Sequence, residues 1–348
     1  MTFTRLEFGR AIYAVSVFPV VVMVCVMILV AVVSTYIVAS AFFTRFPQLS
    51  PVNLLVPNSI VKKRKFAAPI RHISHRGGAA EAMENTMDAF KYAAGLGTQM
   101  LELDVHLTKD GKVVVLHDLN LLRVAGVDRD VTQTDYDELP ALLKKVPVHF
   151  APGTTFETSR NLRIPLLEDV FKAFPTLPIN IDPKDENPLL VKAVGELIEK
   201  YERAHLTVWG SPNDTIARWC HETNPEVGLL FSMRRVVVVC FLFYLGLLPY
   251  VPLKETHLEV PLLSIFLGED FQEAWGKHAG RQLLVRAANL FLFRRSLYRH
   301  LDRRGIPTYL WVLNREKDWK EAFDNGIEGV MTDRPASLMR FLENNRLV

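Results

Sequence analysis

Hydrophobic and polar positions alternate in three different ways along this chain. From Ala11 to Thr44 there are 34 positions without a charge, dominated by Val, Ile, Ala and Phe. A bilayer core needs roughly 20 such residues as helix, so the run is long enough to span with tilt. The apolar core of a cleaved signal peptide is shorter, about 7–15 residues. The pattern therefore predicts an uncleaved N-terminal transmembrane anchor over residues 1–45. Residues 46–69 carry Pro47, Pro51, Pro57 and Pro69 with little periodicity, which predicts a linker. From residue 70 to 348, period-two and period-3.6 segments alternate, as in a parallel sheet covered by helices. The predicted strands are Arg71–Ser74, Met100–Leu107, Lys112–His117, Pro178–Asp182, Leu206–Trp209, Val227–Phe231, Thr308–Leu313 and Gly329–Thr332. Helical patterns fall between them, for example Thr86–Leu96, Leu189–Ala204 and Leu290–Arg304. Eight strands in such a length predict an α/β fold of the (β/α)8 TIM-barrel type, which typically takes about 250 residues. An open doubly wound sheet is the alternative.

One run interrupts the alternation. Val236–Leu253, "VVVVCFLFYLGLLPYVPL", has no charge and lies between Arg234-Arg235 and Lys254. "PLLSIFLG", Pro261–Gly268, follows. We read 236–268 as an apolar, membrane-facing insertion that dips into the bilayer near the barrel mouth. A second span and a buried core helix are the alternatives.

Charge and composition narrow the class. Lys and Arg number 41 against 38 Asp and Glu, a net charge of +3, so no basic field points to nucleic acid. Cys25, Cys220 and Cys240 are dispersed and indicate neither a disulfide framework nor a cysteine zinc site. Arg5 and Arg10 precede the anchor, whereas Arg45 and the cluster Lys62–Lys65 follow it. The positive-inside rule thus leans toward a cytosolic C-terminal part. A sequon at Asn213–Thr215 would be usable only on the luminal side, and the side of the membrane stays open.

Candidate chemistry collects at predicted C-terminal strand ends, where a barrel keeps its active site. In "LELDVHLTKDG", Glu102 and Asp104 stand two apart on a strand and share a face. Two like carboxylates side by side repel unless a cation lies between them, and Mg²⁺ and Ca²⁺ take oxygen ligands of this kind. "GKVVVLHD" ends on His117 and Asp118, and "INIDPKDEN" projects Asp182 and Lys184 the same way. In "HISHRGGAAEAMENT", His75 and Arg76 end the first strand, the Gly77-Gly78 pair allows close backbone approach, and Glu84-Asn85-Thr86 opens a helix. An arginine fork and a helix N-terminus both suit phosphate.

This order of motifs resembles the glycerophosphodiester phosphodiesterase family. The matching pieces are "HRG" (75–77), "ENT" (84–86) with Ala89-Phe90, "LELDVHLTKDG" (101–111), "VVLHD" (114–118), "IDPK" (181–184), "LWVLN" (310–314) and "GVMTDRP" (329–335). The anchor and the apolar run look most like its membrane-bound lysophospholipase D branch. The resemblance implies His75 and His117 as general acid and base, in an order left open. It also implies Glu102, Asp104 and Asp182 as ligands of one divalent cation, Mg²⁺ or Ca²⁺. Arg76 and Lys184 would contact phosphate, and Trp311 would stand at the pocket rim. The implied reaction is metal-dependent cleavage of lysophosphatidylcholine, lysophosphatidylethanolamine or N-acyl forms. Its products are lysophosphatidic acid, or the cyclic phosphate, and the head-group alcohol. Water-soluble glycerophosphocholine-type substrates are the alternative. The expected partners are a lysophospholipid and a membrane, with no nucleic acid. The expected location is the endoplasmic reticulum or another internal membrane.

Overall fold

The computed structural model describes residues 5–62, 65–268, 271–273, 276 and 278–347, with side chains from Pro19 onward. The first helix, α1, covers Arg5–Arg45. Its part Pro19–Arg45 is long and apolar enough to cross a membrane. Its side chains between Val20 and Val38 are largely exposed, so no protein core claims them.

The strands are β1 (His72–Ser74), β2 (Met100–Leu107), β3 (Val113–Val115), β4 (Lys145–Pro147), β5 (Thr155–Glu157), β6 (Ile179–Pro183), β7 (Thr207–Trp209), β8 (Gly228–Leu229), β9 (Leu258–Pro261), β10 (Thr308–Trp311) and β11 (Gly329–Thr332). Eight of them form a curled parallel sheet in the order β8-β7-β6-β2-β1-β11-β10-β9. A parallel bridge from Leu230 to His257 joins the two ends. The predicted TIM-type architecture is therefore observed. Strand β2 shows how pleating sorts side chains. Leu101, Leu103, Val105 and Leu107 face outward into a cluster with Phe90, Leu190, Val194 and Ile198 of the covering helices. On the opposite face, Met100 joins Ile73, Val208, Leu230, Tyr309 and Met331 inside the ring, and Glu102 and Asp104 lie above it.

Several expectations change. Val113–Val115 is not a barrel strand; it pairs antiparallel with β2 as a hairpin, because a tight turn over Thr108–Lys112, closed by the Gly111 amide donating to the Thr108 carbonyl at 3.0 Å, reverses the chain. The eighth barrel strand is instead β9, inside the stretch read as an insertion. Only four residues long, it carries an ordinary alternation that the apolar runs on either side obscure. Val236–Leu253 is not a second span. It splits into a helix, Met233–Tyr244, a left-handed turn at Gly246 and a short turn, Leu248–Tyr250. Val236, Val239, Cys240, Leu248 and Leu253 are buried against the barrel. The helix has 12 residues, so it is about 18 Å long and too short to cross. The pattern expected as one helix over Leu290–Arg304 is two, Ala279–Leu292 and Arg295–Arg303, broken at Arg294 in an extended conformation.

The region 46–69 is tied down over its described residues. Ile60 is fully buried, and Phe66 packs against the ring cluster. The buried guanidinium of Arg304 donates to the carbonyls of Ile60, Leu248 and Val251 at 3.0, 3.0 and 2.8 Å.

Candidate active site

The C-terminal ends of β1, β2, β6, β9 and β10 enclose a cavity of about 200 Å³. His75, Arg76, Glu102, Asp104, His117, Asp182, Lys184 and Trp311 all line it, so the fold brings together every site residue named from the sequence. Local backbone explains the first group. After β1 the chain turns through Arg76 and Gly77, both left-handed, with φ of 51° and 81°. A Cβ on Gly77 would lie 2.7 Å from the Ala89 side chain, so only glycine lets this turn sit on the following helix. That helix, Met87–Gly95, is capped by Thr86, whose hydroxyl accepts from the Ala89 amide at 3.2 Å.

Each histidine is held by a carboxylate. His75 Nδ1 lies 2.6 Å from Asp333 Oδ1, and His117 Nδ1 lies 2.7 Å from Asp118 Oδ1. Both rings thus present Nε2 as the free nitrogen; that of His75 is 4.0 Å from Glu102 Oε2. Asp333 is itself fixed: Asn314 Nδ2 donates to Oδ2 at 2.9 Å, and the Asp333 amide donates to Asn314 Oδ1 at 2.9 Å. Asp118 is held by Arg123, through Nε at 2.5 Å and Nη2 at 3.0 Å, and Arg123 also donates to Glu84. Burial lowers the pKa of His75, and Asp333 opposes that shift. Neither Asp333 nor Asn314 was assigned a role from the sequence, although both stand in quoted motifs; their signal is the pair "LWVLN" and "GVMTDRP" closing on one another across β10 and β11.

The carboxylates form the floor. Lys184 Nζ is 2.7 Å from Asp104 Oδ1 and donates to Asp182 Oδ2 at 2.5 Å. Arg76 donates its backbone amide to Glu102 Oε2 at 2.9 Å, places Nε 3.1 Å from Asp104 Oδ2, and donates from Nη1 to Glu84 at 3.1 Å. Asn85 donates to Asp104 Oδ2 at 2.9 Å. The carboxyl of Glu102 is pushed well above its usual range by burial and by the neighbouring Asp104. For Asp104 burial pulls upward, but Lys184 and Arg76 overcome it and hold the carboxylate well below its usual range. Asp182 is raised by burial against the pull of Lys184. Asp182 Oδ1 is buried without a partner. Four carboxylates line this cavity, Glu102, Asp104, Asp182 and Glu259, against the fixed cations Arg76 and Lys184. The clustering of Glu102, Asp104 and Asp182, an orphaned oxygen and an all-oxygen donor set fit a hard divalent cation.

A second group, His117, Asp118 and His149, brings ligand atoms within 4.8 Å of one another. It is a poorer cation site. Both Asp118 oxygens are taken by Arg123, and His149 stands 3.3 Å from Arg76 Nη1 and titrates down at about 4, by burial and then by the two arginines.

Three further residues escaped the sequence reading. His106 bridges Asp185, at 2.6 Å through Nδ1, and the His117 carbonyl, at 3.0 Å through Nε2, tying together the loops that carry Lys184 and His117. Its signal was its i+2 relation to Asp104. Glu259 on β9 accepts from Asn180 at 2.6 Å, and burial pushes its carboxyl to about 8. Phe150 stands 5.7 Å from the His75 ring and 6.0 Å from Trp311. The far wall is Phe231, from the segment after β8, with Met233 and Val236 from the first turn of helix Met233–Tyr244.

The Glycerophosphoryl diester phosphodiesterase family model matches residues 75–337. The chain is 45% identical over 309 residues to lysophospholipase D GDPD1 of Homo sapiens, covering 89% of this chain and 94% of that one. It is 36% identical over 311 residues to lysophospholipase D GDPD3 of Homo sapiens, covering 89% and 94%. Among solved structures, the glycerophosphoryl diester phosphodiesterase domain of a Mycobacterium tuberculosis protein superposes with a TM-score of 0.58 at 16% identity, over 78% of this chain and 98% of that one. An Oleispira antarctica phosphodiesterase solved with the product sn-glycerol-3-phosphate gives 0.55 at 18% identity, over 81% and 100%.

Proposed function

The chain belongs to the glycerophosphoryl diester phosphodiesterase family and is a phosphoric diester hydrolase, and from that premise we propose that it acts as a membrane-anchored lysophospholipase D. The observation that carries the chemistry is the pair of histidines lining one cavity, each held at Nδ1 by a carboxylate. One Nε2 takes the proton from the attacking oxygen, and the other returns one to the leaving head-group alcohol. Asp333 and Asp118 fix the tautomers and favour the imidazolium that forms. Glu102, Asp104 and Asp182 would hold one Mg²⁺ or Ca²⁺, which when bound neutralises developing charge on the phosphoryl oxygens. Lys184 adds a fixed positive charge at the same oxygens. In a lysophospholipid the free glycerol hydroxyl lies beside phosphorus, so an intramolecular attack giving the cyclic phosphate benefits from proximity.

The apolar wall supports a single-chain lipid over a soluble diester. Phe231, Met233 and Val236 line the cavity, and Val237, Phe241 and Tyr244 of the same helix are exposed, so apolar surface continues outward from the cavity wall and suits an acyl chain. Pro19–Arg45 is long and apolar enough to cross a membrane, and we propose that it anchors the enzyme beside that lipid in an internal membrane such as the endoplasmic reticulum.

Mass spectrometry of products from lysophosphatidylcholine, with Mg²⁺, Ca²⁺ or chelator, tests the reading. Choline with lysophosphatidic acid or its cyclic form is expected, and only with the cation. Phosphocholine as the product would place the cut on the other side of phosphorus and end it. Met233→Glu with Val236→Asp should lower turnover of lysophosphatidylcholine at least tenfold more than that of glycerophosphocholine. Equal losses on both would remove the lipid-binding role of this wall.

A further inference from the structure

The anchor is joined to the barrel rather than tethered beside it. The Tyr36 hydroxyl donates to the Leu245 carbonyl, and the ring of Phe43 lies 5.6 Å from that of Tyr250. Ser50 donates to the Pro249 carbonyl at 2.8 Å, and His300 Nδ1 meets the Thr44 carbonyl at 2.9 Å. The stretch from Pro19 to Val38, at ~1.5 Å per residue, is about 30 Å long, the thickness of a hydrocarbon core. The near face of the bilayer therefore falls close to the level of Leu245.

A second helix continues from that point. Phe291, near the end of helix Ala279–Leu292, stacks on Tyr244 at 5.1 Å, and the Tyr244 hydroxyl donates to the Phe291 carbonyl at 2.9 Å. Arg294 Nε donates to the same hydroxyl at 3.0 Å. Helix Ala279–Leu292 turns an apolar stripe outward: Leu283, Leu284 and Leu290 are 69%, 69% and 62% exposed. Phe241 and Leu245 beside it are 56% and 59% exposed. The stripe does not follow ordinary surface patterning, because the polar positions of this helix lie at its flank. Arg286 borders the stripe, and from Ala279 to Leu301 the sequence has Arg281, Arg286, Arg294, Arg295 and Arg299 with no acid. An exposed apolar stripe flanked by arginine is the composition of a helix that lies in a membrane interface.

We infer that the flank carrying Phe241, Leu245, Leu283, Leu284 and Leu290 lies in the bilayer that α1 crosses, with Arg286 and Arg295 against anionic lipid phosphates. The occupant is lipid because the flank is continuous with the clamp on α1 and the charged side chains from Ala279 to Leu301 are all arginines. The inference rests on the anchored reading above and does not depend on the substrate. Helix Met233–Tyr244 has one end in the catalytic cavity and the other on the anchor, so a docked flank joins the cavity to the membrane.

The test uses the full chain in vesicles of phosphatidylcholine, with and without phosphatidylserine, and Cys25→Ser to remove the exposed thiol. An environment-sensitive fluorophore is placed at Leu284→Cys, or at Lys91→Cys on the helix between β1 and β2, across the ring. Quenching by lipids brominated in the acyl chain is read at each. Quenching at 284, absent at 91 and stronger with phosphatidylserine, is expected. Arg286→Glu with Arg295→Glu should remove the phosphatidylserine increment, since each basic residue near such a surface is worth about fivefold in association. A label at 284 as open to aqueous iodide as the one at 91, in both compositions, would overturn the inference. So would a label shielded from iodide yet untouched by brominated lipid, which would mean a protein partner. Both readouts need no turnover, so they separate this inference from the substrate assignment.

Discussion

The His75–Asp333 contact makes the sharpest prediction. Asp333 is fully buried, both its oxygens are engaged, and Oδ1 is 2.6 Å from His75 Nδ1. Asp333→Asn keeps shape and volume but replaces an acceptor with an amide. With the amide nitrogen facing the ring, Nδ1 must accept, the proton moves to Nε2, and the nitrogen facing the cavity can no longer act as a base. With the amide oxygen facing the ring, the tautomer survives, but the negative charge that favours the imidazolium is gone. A positioned acid or base contributes about 10²- to 10⁴-fold, so kcat should fall within that range while KM changes little. Because Asp333 acts through His75, the losses should not multiply. Asp333→Asn added to His75→Ala should cost less than about threefold beyond His75→Ala alone. Steady-state kinetics on all four proteins, with thermal unfolding to confirm folding, makes the measurement. Wild-type kcat in Asp333→Asn, or losses that multiply in the double variant, would refute the reasoning.

Other expectations follow from the same geometry. Glu102→Gln and Asp104→Asn should each cut turnover by about 10²-fold or more and weaken the response to added divalent cation, measured by activity against metal concentration; an unchanged metal response would remove them from the ligand set. Arg304→Met keeps bulk but orphans three carbonyls held at 2.8–3.0 Å, and should destabilise by about 3–5 kcal/mol in denaturant unfolding. Glu259 titrates near 8 when folded against about 4.5 unfolded, so the folded state holds its proton more tightly. Its contribution is fully present below about pH 4.5 and is lost as pH rises toward 8. Glu259→Gln should therefore gain stability over wild type in chelator as pH goes from 5 to 8.5, and parallel Tm curves would contradict this.

The sequence by itself determined what is local and periodic. The uncharged run Ala11–Thr44 announced a helix long enough for a membrane, because hydrocarbon length is counted directly in residues. The strand-end motifs placed Glu102 with Asp104 and Asp182 with Lys184, because side chains two apart on a strand must share a face. Short-range logic failed where pairing is chosen at long range. Val113–Val115 reads as a barrel strand by propensity, yet the tight turn before it makes it a hairpin arm, and β9 takes the vacant place in the ring. The same holds for the run Val236–Leu253, whose apolarity says only that it avoids water. Packing of Val239 and Leu248 on the barrel decided that protein covers one side of it. Only the tertiary structure joined residues more than 200 positions apart: Asp333 to His75, and Tyr36 to Leu245. The reason is physical. Propensity and period act over a few residues, whereas the partner of a buried polar atom is whatever the closed ring brings within 3 Å of it.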